Sequence, residues 1–128
     1  MSIPEPLQPG AAVPNDPALP SAYCQVTTTT DSEDTALRLA RDIVETGLGA
    51  SAQVLGPISS VYRWAGLIQV TQEWQCVVKT VMSRLTDLTD HIEAIHDREV
   101  PEVVATPIIG GNEDYLNWVS AQAAPEDL

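Results

Sequence analysis

The sequence predicts an α+β fold in which strands and helices follow in the order β-α-β-β-α-β, with a further helix at the C-terminal end. Segments rich in β-branched residues alternate with segments whose apolar residues recur every three or four positions. Capping residues, Gly and Pro separate these segments. The two middle strands follow each other through a short turn near Ala65 and Gly66, which indicates a hairpin.

The first strand and helix are predicted from residues 23–47. Residues 23–29 are typical of a strand, with a run of threonines at the end. Thr30 and Glu33 have the spacing of a capping box, which predicts that the helix begins there. One apolar helix face follows, made of Ala36, Leu39, Ala40, Ile43 and Val44. Gly47 is expected to end this helix.

The two middle strands are predicted at residues 51–61 and 67–80, with Gly56 and Pro57 forming a bulge or bend in the first. Both are longer than the usual five or six residues, so their ends should project past the sheet. Exposed strand edges are usually covered by a partner chain. The pattern itself therefore predicts oligomerisation.

The second half of the domain repeats the alternation. Ser83 is expected to cap a helix whose apolar positions are Leu85, Leu88, Ile92 and Ile95. Residues 103–108 predict a fourth strand, and Asn112 is expected to cap the last short helix. This order is that of the ferredoxin-like fold, an antiparallel sheet with two helices on one face.

The ends of the chain differ in composition from the middle. Residues 1–20 hold six of the ten prolines and no lysine or arginine. We therefore expect a disordered, proline-rich N-terminal arm at 1–20, a folded domain at 21–122 and a flexible tail at 123–128.

The overall charge and cysteine content restrict location and partners. A net charge of -12 argues against nucleic acid and anionic membranes as partners, because both select basic surfaces. No apolar run approaches the roughly 20 residues that span a bilayer, and no export signal is recognisable. Two cysteines do not make a disulfide framework. We therefore expect a cytoplasmic protein.

Three neighbouring residues, Tyr62, Arg63 and Trp64, offer a hydroxyl, a planar cation and a flat apolar face at one place. Such a group suits either a ligand cleft or a subunit contact.

Lys79 is the single lysine of the chain and lies in a predicted strand. It could point into a cleft as a nucleophile or base, or form an ion pair with an acid such as Glu102.

A second group joins the second helix to the last strand. His96, Arg98 and Glu102 place an imidazole, a guanidinium and a carboxylate within seven residues. His and Glu suit a divalent cation or proton transfer, whereas a loop with caps and ion pairs would use the same residue types. His91 does not share a helix face with His96, so it adds no second ligand.

In this order along the chain, Tyr62 to Gly66, Lys79-Thr80, His96 with Glu99 to Glu102, and Asn112 to Trp118 resemble the CutA family of divalent-cation tolerance proteins. The resemblance runs from about residue 23 to residue 119. It implies a ferredoxin-like protomer in a homotrimer, with a cleft at each subunit interface.

The resemblance also implies which side chains line that cleft. The cleft it implies is lined by Tyr62, Arg63, Trp64, Lys79, His96 and Glu102. We expect Leu67, Arg98 and Trp118 to contribute to ligand binding there as well. A divalent cation such as Cu(II) would use His96 and Glu102. The chain departs from the family pattern, since Ala65 and Leu67 stand where a glutamate and a lysine are usual, and Asp97-Arg98 replaces Pro-Tyr.

Three functions are consistent with these observations. The first is a trimeric protein with a ligand cleft between subunits, in divalent-cation (copper) tolerance or small-molecule sensing. The second is an enzyme of a specialised biosynthetic pathway, with His96 or Glu102 as the acid–base group in proton transfer or cyclisation and Lys79 or Arg98 holding an anion. The third is an interaction module that presents the proline-rich arm to partners.

Overall fold

A computed structural model describes residues 21–123 of the chain. The elements follow in the order β1 (Tyr23–Thr30), α1 (Glu33–Glu45), β2 (Ser51–Trp64), β3 (Leu67–Val81), α2 (Leu85–Ile95), β4 (Val103–Pro107) and α3 (Glu113–Gln122). A short 3-10 turn, Met82–Arg84, precedes α2. The order of elements predicted from the sequence is confirmed. The expectations for the arm at 1–20 and for the tail from residue 124 onward lie outside the described residues.

The four strands form one antiparallel sheet in the order β2-β3-β1-β4. Alternate residues of β1 and β3 point to the face that α1 and α2 cover, and they form the core with apolar residues of the two helices. The core members include Cys24, Val26, Cys76, Val78, Leu39, Ile43, Leu88 and Ile92. Each buried Leu, Ile or Val contributes roughly 1.5–3 kcal/mol, so this layer holds the helices on the sheet.

The β2–β3 hairpin extends beyond the rest of the sheet. β1 pairs with β3 as far as Thr30, which lies opposite Trp74, so residues 58–64 and 67–73 pair only with each other. At about 3.3 Å per residue, the hairpin projects roughly 20 Å. Ala65 and Gly66 turn the chain with φ values of 51° and 80°. Two consecutive positive φ values are those of a type I′ hairpin turn, which confirms the turn expected at this point.

A bulge separates the two parts of the hairpin. The register shifts between Leu55 and Ile58, so Gly56 and Pro57 have no partner in β3. Gly56 packs closely against the indole of Trp74. A Cβ at this position would lie only 2.4 Å from Trp74 Cδ1, so a larger residue would clash there. The interruption predicted at Gly56-Pro57 is therefore confirmed.

The predicted caps of α1 and α2 are wrong. Thr30 stays in β1, and its hydroxyl donates to the carbonyl of Ser32 (2.7 Å). Ser32 is the N-cap, and its hydroxyl accepts from the backbone N–H of Thr35 (3.1 Å). Ser83 belongs to the 3-10 turn, and Arg84 precedes α2 without a side-chain cap. Thr30 cannot cap α1 because the helix begins at Glu33, directly after Ser32, while Thr30 still pairs with Trp74 of β3.

The C-terminal helix α3 packs against the start of β1. Leu116 and Val119 of α3 are buried, and the hydroxyl of Ser120 lies 2.8 Å from that of Tyr23. Tyr23 alternates with the core residue Cys24, which places this contact on the sheet face that α1 and α2 leave open. Asn112 occupies the N-cap of α3 as predicted, without a side-chain cap bond. Within the described part of the chain, the helices are too short or too polar to cross a membrane.

Candidate functional site

The residues predicted to form the site do not lie together in one protomer. Tyr62, Arg63, Trp64 and Leu67 are at the projecting end of the hairpin. His96 and Arg98, in the loop after α2, lie beside the middle of β3, where Arg98 contacts Glu73. Lys79 belongs to β3 itself and lies near its far end. Lys79 is twelve residues from Leu67 along β3, which is about 40 Å at the rise of a strand. One protomer therefore does not assemble the predicted cleft.

The end of the hairpin is an exposed apolar surface. Val61 lies opposite Val70, and Trp64 lies opposite Leu67. Together with Ile68 these side chains are 59–70% exposed, and we call them the hairpin surface. Patches of this kind mark interfaces in soluble proteins. Arg63 lies beside it and donates from Nη1 to the carbonyl of Gly66 (3.4 Å).

A polar cluster lies where the hairpin leaves the sheet. Arg98 donates from Nη2 to Glu73 Oε2 (2.6 Å) and from Nη1 to the hydroxyl of Thr29 (3.3 Å). Burial of Glu73 opposes its charge, but hydrogen bonds from Ser60 and Arg98, the charge of Arg98 and a bond with Thr29 outweigh burial and lower the pKa of Glu73. With His96, we call Thr29, Glu73 and Arg98 the Thr29 cluster.

His96 uses both ring nitrogens within this cluster. Its Nε2–H donates to the carbonyl of Thr29 (2.8 Å), and its Nδ1 accepts from the backbone N–H of Arg98 (3.0 Å). The side chain is 1% exposed. Either a metal or a substrate proton would have to displace one of these bonds. In this arrangement His96 holds the loop after α2 against the end of β1.

Arg98, like His96, holds the loop after α2 on the sheet. Arg98 was predicted to bind a ligand, and its side chain is 35% exposed. Its guanidinium, however, is already hydrogen-bonded to Glu73 and Thr29. Sequence reasoning missed both of these partners. Glu73 is the one acid within β3, which could have indicated a buried charge that needs a partner. No spacing in the sequence connects Glu73 to Arg98.

Lys79 and Glu102 do not meet. Lys79 donates from Nζ to the side-chain amide oxygen of Gln53 (3.0 Å). Glu102 is exposed and precedes β4, which pairs with the opposite side of β1 from β3. The ion pair considered between Lys79 and Glu102 is therefore wrong, because β1 separates them. Neither side chain is paired with the other, so each could contact a ligand or another subunit instead.

Trp118 lies on α3, which begins near the end of β4 and is fastened to β1. Its ring centroid is 5.5 Å from that of Tyr115, with the planes tilted by 32°. Trp118 is 43% exposed and Tyr115 is 38% exposed. We call these two residues the α3 aromatic pair.

The sulfur donors of the domain are poorly suited to a cation. Burial raises the pKa of the Cys76 thiol to about 11, and burial also raises the pKa of Cys24. Both are free, buried thiols, so they stay protonated and unreactive at neutral pH. Within residues 21–123 no group of three or more His, Cys, Asp or Glu side chains is close enough to hold a metal ion. Binding of Cu(II) by His96 and Glu102 stays a prediction, and it would need ligands from elsewhere.

A shallow groove of about 430 Å³ lies between α1 and the end of α2. Its lining consists of Thr35, Arg38, Leu39, Asp42, Ile95, His96 and Asp97. A hydrogen bond between His91 and Asp42 beside it links the two helices. Sequence reasoning did not identify this groove.

The acid–base hypothesis gains no support from these positions. His96 is committed to backbone groups, while Lys79 and Glu102 lie on opposite sides of β1. A catalytic role for His96, Glu102 and Lys79 stays a prediction.

Comparison with known proteins agrees with the observed fold. The family described as "CutA1 divalent ion tolerance protein" matches residues 24–122. The chloroplastic CutA of Arabidopsis thaliana is 40% identical over 91 residues, which are 71% of this chain and 50% of that protein. The divalent-cation tolerance protein CutA of Thermus thermophilus is 37% identical over 91 residues, with 71% and 88% coverage.

The solved structures show the same likeness. The crystal structure of CutA1 from Oryza sativa superimposes with a TM-score of 0.80 at 36% identity, covering 83% of this chain and 97% of that one. The chain spans about half the length of its Arabidopsis relative. The family match and the relatives above 30% identity both cover most of the described domain. The chain belongs to the CutA1 divalent ion tolerance family.

Proposed function

We propose that the chain works as a homotrimer with a ligand-binding cleft between subunits, in divalent-cation tolerance or small-molecule sensing. The observation that carries this proposal is the hairpin surface, an exposed apolar patch at the end of a hairpin that projects roughly 20 Å beyond the sheet. A free monomer would leave this patch in water, where its burial in a partner is favourable.

The separation of the predicted site residues supports a cleft made by two protomers. Trp64 lies about 20 Å from Glu73 of the Thr29 cluster and about 40 Å from Lys79 along β3 in one protomer. A projecting hairpin that packs on a neighbour would bring its own tip close to the neighbour's sheet. Such packing would also cover the unpaired edges of β2 and β4.

The side chains available to the cleft favour a small organic ligand with a polar group. Trp64 and Leu67 offer apolar contact area, and Arg63 offers a cation whose one hydrogen bond to the described residues 21–123 is long, at 3.4 Å. Arg63, or Lys79 of a neighbouring subunit, would attract an anionic group. A divalent cation would instead use Glu102 together with ligands from a second protomer.

The role in cation tolerance is proposed from the family to which the chain belongs. A cytoplasmic location stays a proposal as well. One relative is named chloroplastic, so members of the family do not share a single compartment.

The assembly can be tested by measuring the mass of the protein in solution. Sedimentation equilibrium of the full chain should give about three times the 13.8 kDa of one chain. Val61→Asp places a charge in the hairpin surface and should shift the protein towards monomer. Leu37→Asp is the matched control, because Leu37 is exposed on α1 away from the hairpin. A monomeric parent protein, or equal effects of both variants, would contradict the proposal.

Ligand binding needs a separate experiment on the assembled protein. Titration calorimetry with Cu(II), with Zn²⁺ and with a panel of small carboxylic acids should give saturable binding in the parent protein. Trp64→Ala should weaken binding of an organic acid, whereas Glu102→Gln should weaken binding of a cation. Binding that survives unchanged in monomeric Val61→Asp would exclude a cleft between subunits.

A further inference from the structure

We propose that the proline-rich segment of residues 1–20 binds the α3 aromatic pair of its own chain. This inference concerns a different surface from the hairpin and does not rest on the proposed trimer. It assigns an occupant to Tyr115 and Trp118, which are exposed aromatic residues on a helix that is otherwise fastened to the sheet.

The α3 aromatic pair presents the side chains that proline-rich segments select. Tyr115 and Trp118 are three residues apart and share one side of the helix, with ring centroids 5.5 Å apart. Leu116 and Val119 are buried on the side that packs on the domain. Adjacent Tyr and Trp rings line the grooves in which SH3 and WW domains bind P-x-x-P segments. The ring faces supply apolar area, and the phenol and indole groups supply polar contacts.

The N-terminal segment has the matching sequence. Its prolines at 6 and 9, 14 and 17, and 17 and 20 give three P-x-x-P spacings. Segments of this composition favour the polyproline II conformation, which loses little entropy on binding. The segment has no lysine or arginine. Contact through proline rings therefore suits it better than ion pairing with the acidic start of α3.

The point at which the segment joins the domain lies beside α3. The hydroxyl of Tyr23 is 2.8 Å from that of Ser120, two residues after Trp118. Ser21 is fastened next to it by a hydrogen bond from its hydroxyl to the carbonyl of Ile108 (2.9 Å). Ser21, the described residue to which the segment is joined, therefore lies close to this helix.

The length of the segment is sufficient for the proposed contact. Twenty residues in polyproline II conformation reach about 60 Å, whereas a helix with its side chains is about 10–12 Å across. A tether of this kind gives an effective concentration in the millimolar range, so a weak contact is enough. The aromatic residues of the hairpin end are a poorer target. Leu67 is fourteen residues along β3 from Val81, the partner of Tyr23, or about 45 Å away.

The test measures how accessible Trp118 is in solution. A variant with Trp64→Phe and Trp74→Phe retains Trp118 as its single tryptophan, and circular dichroism checks that it folds. Deletion of residues 1–20 in this background should increase acrylamide quenching of Trp118 about twofold, because the segment would cover much of its exposed surface. Replacing Pro14, Pro17 and Pro20 with Ser in the full chain should reproduce the deletion.

Two controls decide between the proposal and its alternatives. The double variant Glu5→Gln and Asp16→Asn keeps every proline and should leave quenching unchanged. A second control mixes two kinds of the protein for NMR: copies spin-labelled at Ser2→Cys, and isotope-enriched copies without a label. If the segment binds within its own chain, the spin label stays away from the enriched copies, and their α3 amide signals should remain sharp. Equal quenching with and without residues 1–20, or broadening in the mixed sample, would overturn the proposal.

Discussion

Glu73 is the residue in which burial and charge act most directly against each other. Its carboxylate is buried beside the Arg98 guanidinium and also bonds with Ser60 and Thr29. These bonds lower its pKa below the ordinary value of 4.5 in spite of burial. The folded state therefore binds a proton at Glu73 less readily than the unfolded chain does.

The stability that Glu73 contributes should be lost in acid. It is fully present above about pH 4.5 and disappears as the pH falls through the lower pKa of the folded state. At pH 7, Glu73→Gln should lower the free energy of unfolding by about 1–3 kcal/mol, because a charged hydrogen bond with Arg98 becomes a neutral one. Urea denaturation at a series of pH values should show this difference shrinking towards pH 3.

The control for this experiment is an exposed ion pair in the same protein. Arg41 and Glu45 lie one helical turn apart on α1 with a separation of 2.7 Å, and both are mostly exposed. Glu45→Gln should change the free energy of unfolding much less than Glu73→Gln does, because water screens this exposed pair. A difference between parent and Glu73→Gln that stays constant from pH 7 to pH 3 would show that the Glu73 charge adds nothing to stability.

Between elements, Gly49 sets how closely α1 and β2 can approach β3. Its N–H donates to the carbonyl of Ile43, and the next residue, Ala50, donates to the carbonyl of Lys79 (2.9 Å). A Cβ at Gly49 would lie 2.4 Å from Val78 Cγ1 and 2.9 Å from Ile43 Cγ2. The turn between helix and strand therefore depends on the absence of a side chain there.

Gly49→Ala should lower the free energy of unfolding by about 1–3 kcal/mol, because Val78 and Ile43 would have to move in a packed core. Gly111→Ala is the matched control. The new Cβ would be 3.6 Å from Leu116, an ordinary contact, so its effect should be small. Urea denaturation of both variants measures the difference. Equal stabilities would mean that the α1–β2 turn relaxes without cost.

Periodicity predicted the elements well because each depends on residues close together in the chain. The apolar positions of α1 and α2 and the hairpin turn at Ala65-Gly66 all follow from local sequence. The caps were harder: the T-x-x-E spacing pointed to Thr30, but Thr30 pairs with Trp74 in the sheet and Ser32 caps α1 instead.

The candidate site was predictable only in part for the same reason. The exposed aromatic residues at the hairpin end could be found from composition. The Thr29 cluster could not, because it joins β1, β3 and the loop after α2 across separations of 25 to 69 residues. Arg98 was therefore assigned to a ligand, whereas its contacts hold that loop on the sheet.

For the whole molecule, charge and apolar surface act in opposite directions. Each chain carries a net charge of -12, so bringing copies together is opposed by repulsion. The hairpin surface favours association by removing apolar area from water. The balance between them should depend on ionic strength, because salt screens the repulsion with a Debye length of about 10 Å at 0.1 M.

Raising sodium chloride from about 0.02 M to about 0.3 M should therefore strengthen assembly, with little further change once the charges are screened. Sedimentation equilibrium at several concentrations measures the midpoint of assembly at each salt level. Leu37→Asp adds one charge away from the hairpin and should shift the midpoint slightly while keeping the same salt trend. Dissociation on adding salt would contradict the argument, since it would mean that ion pairs, rather than the hairpin surface, hold the subunits together.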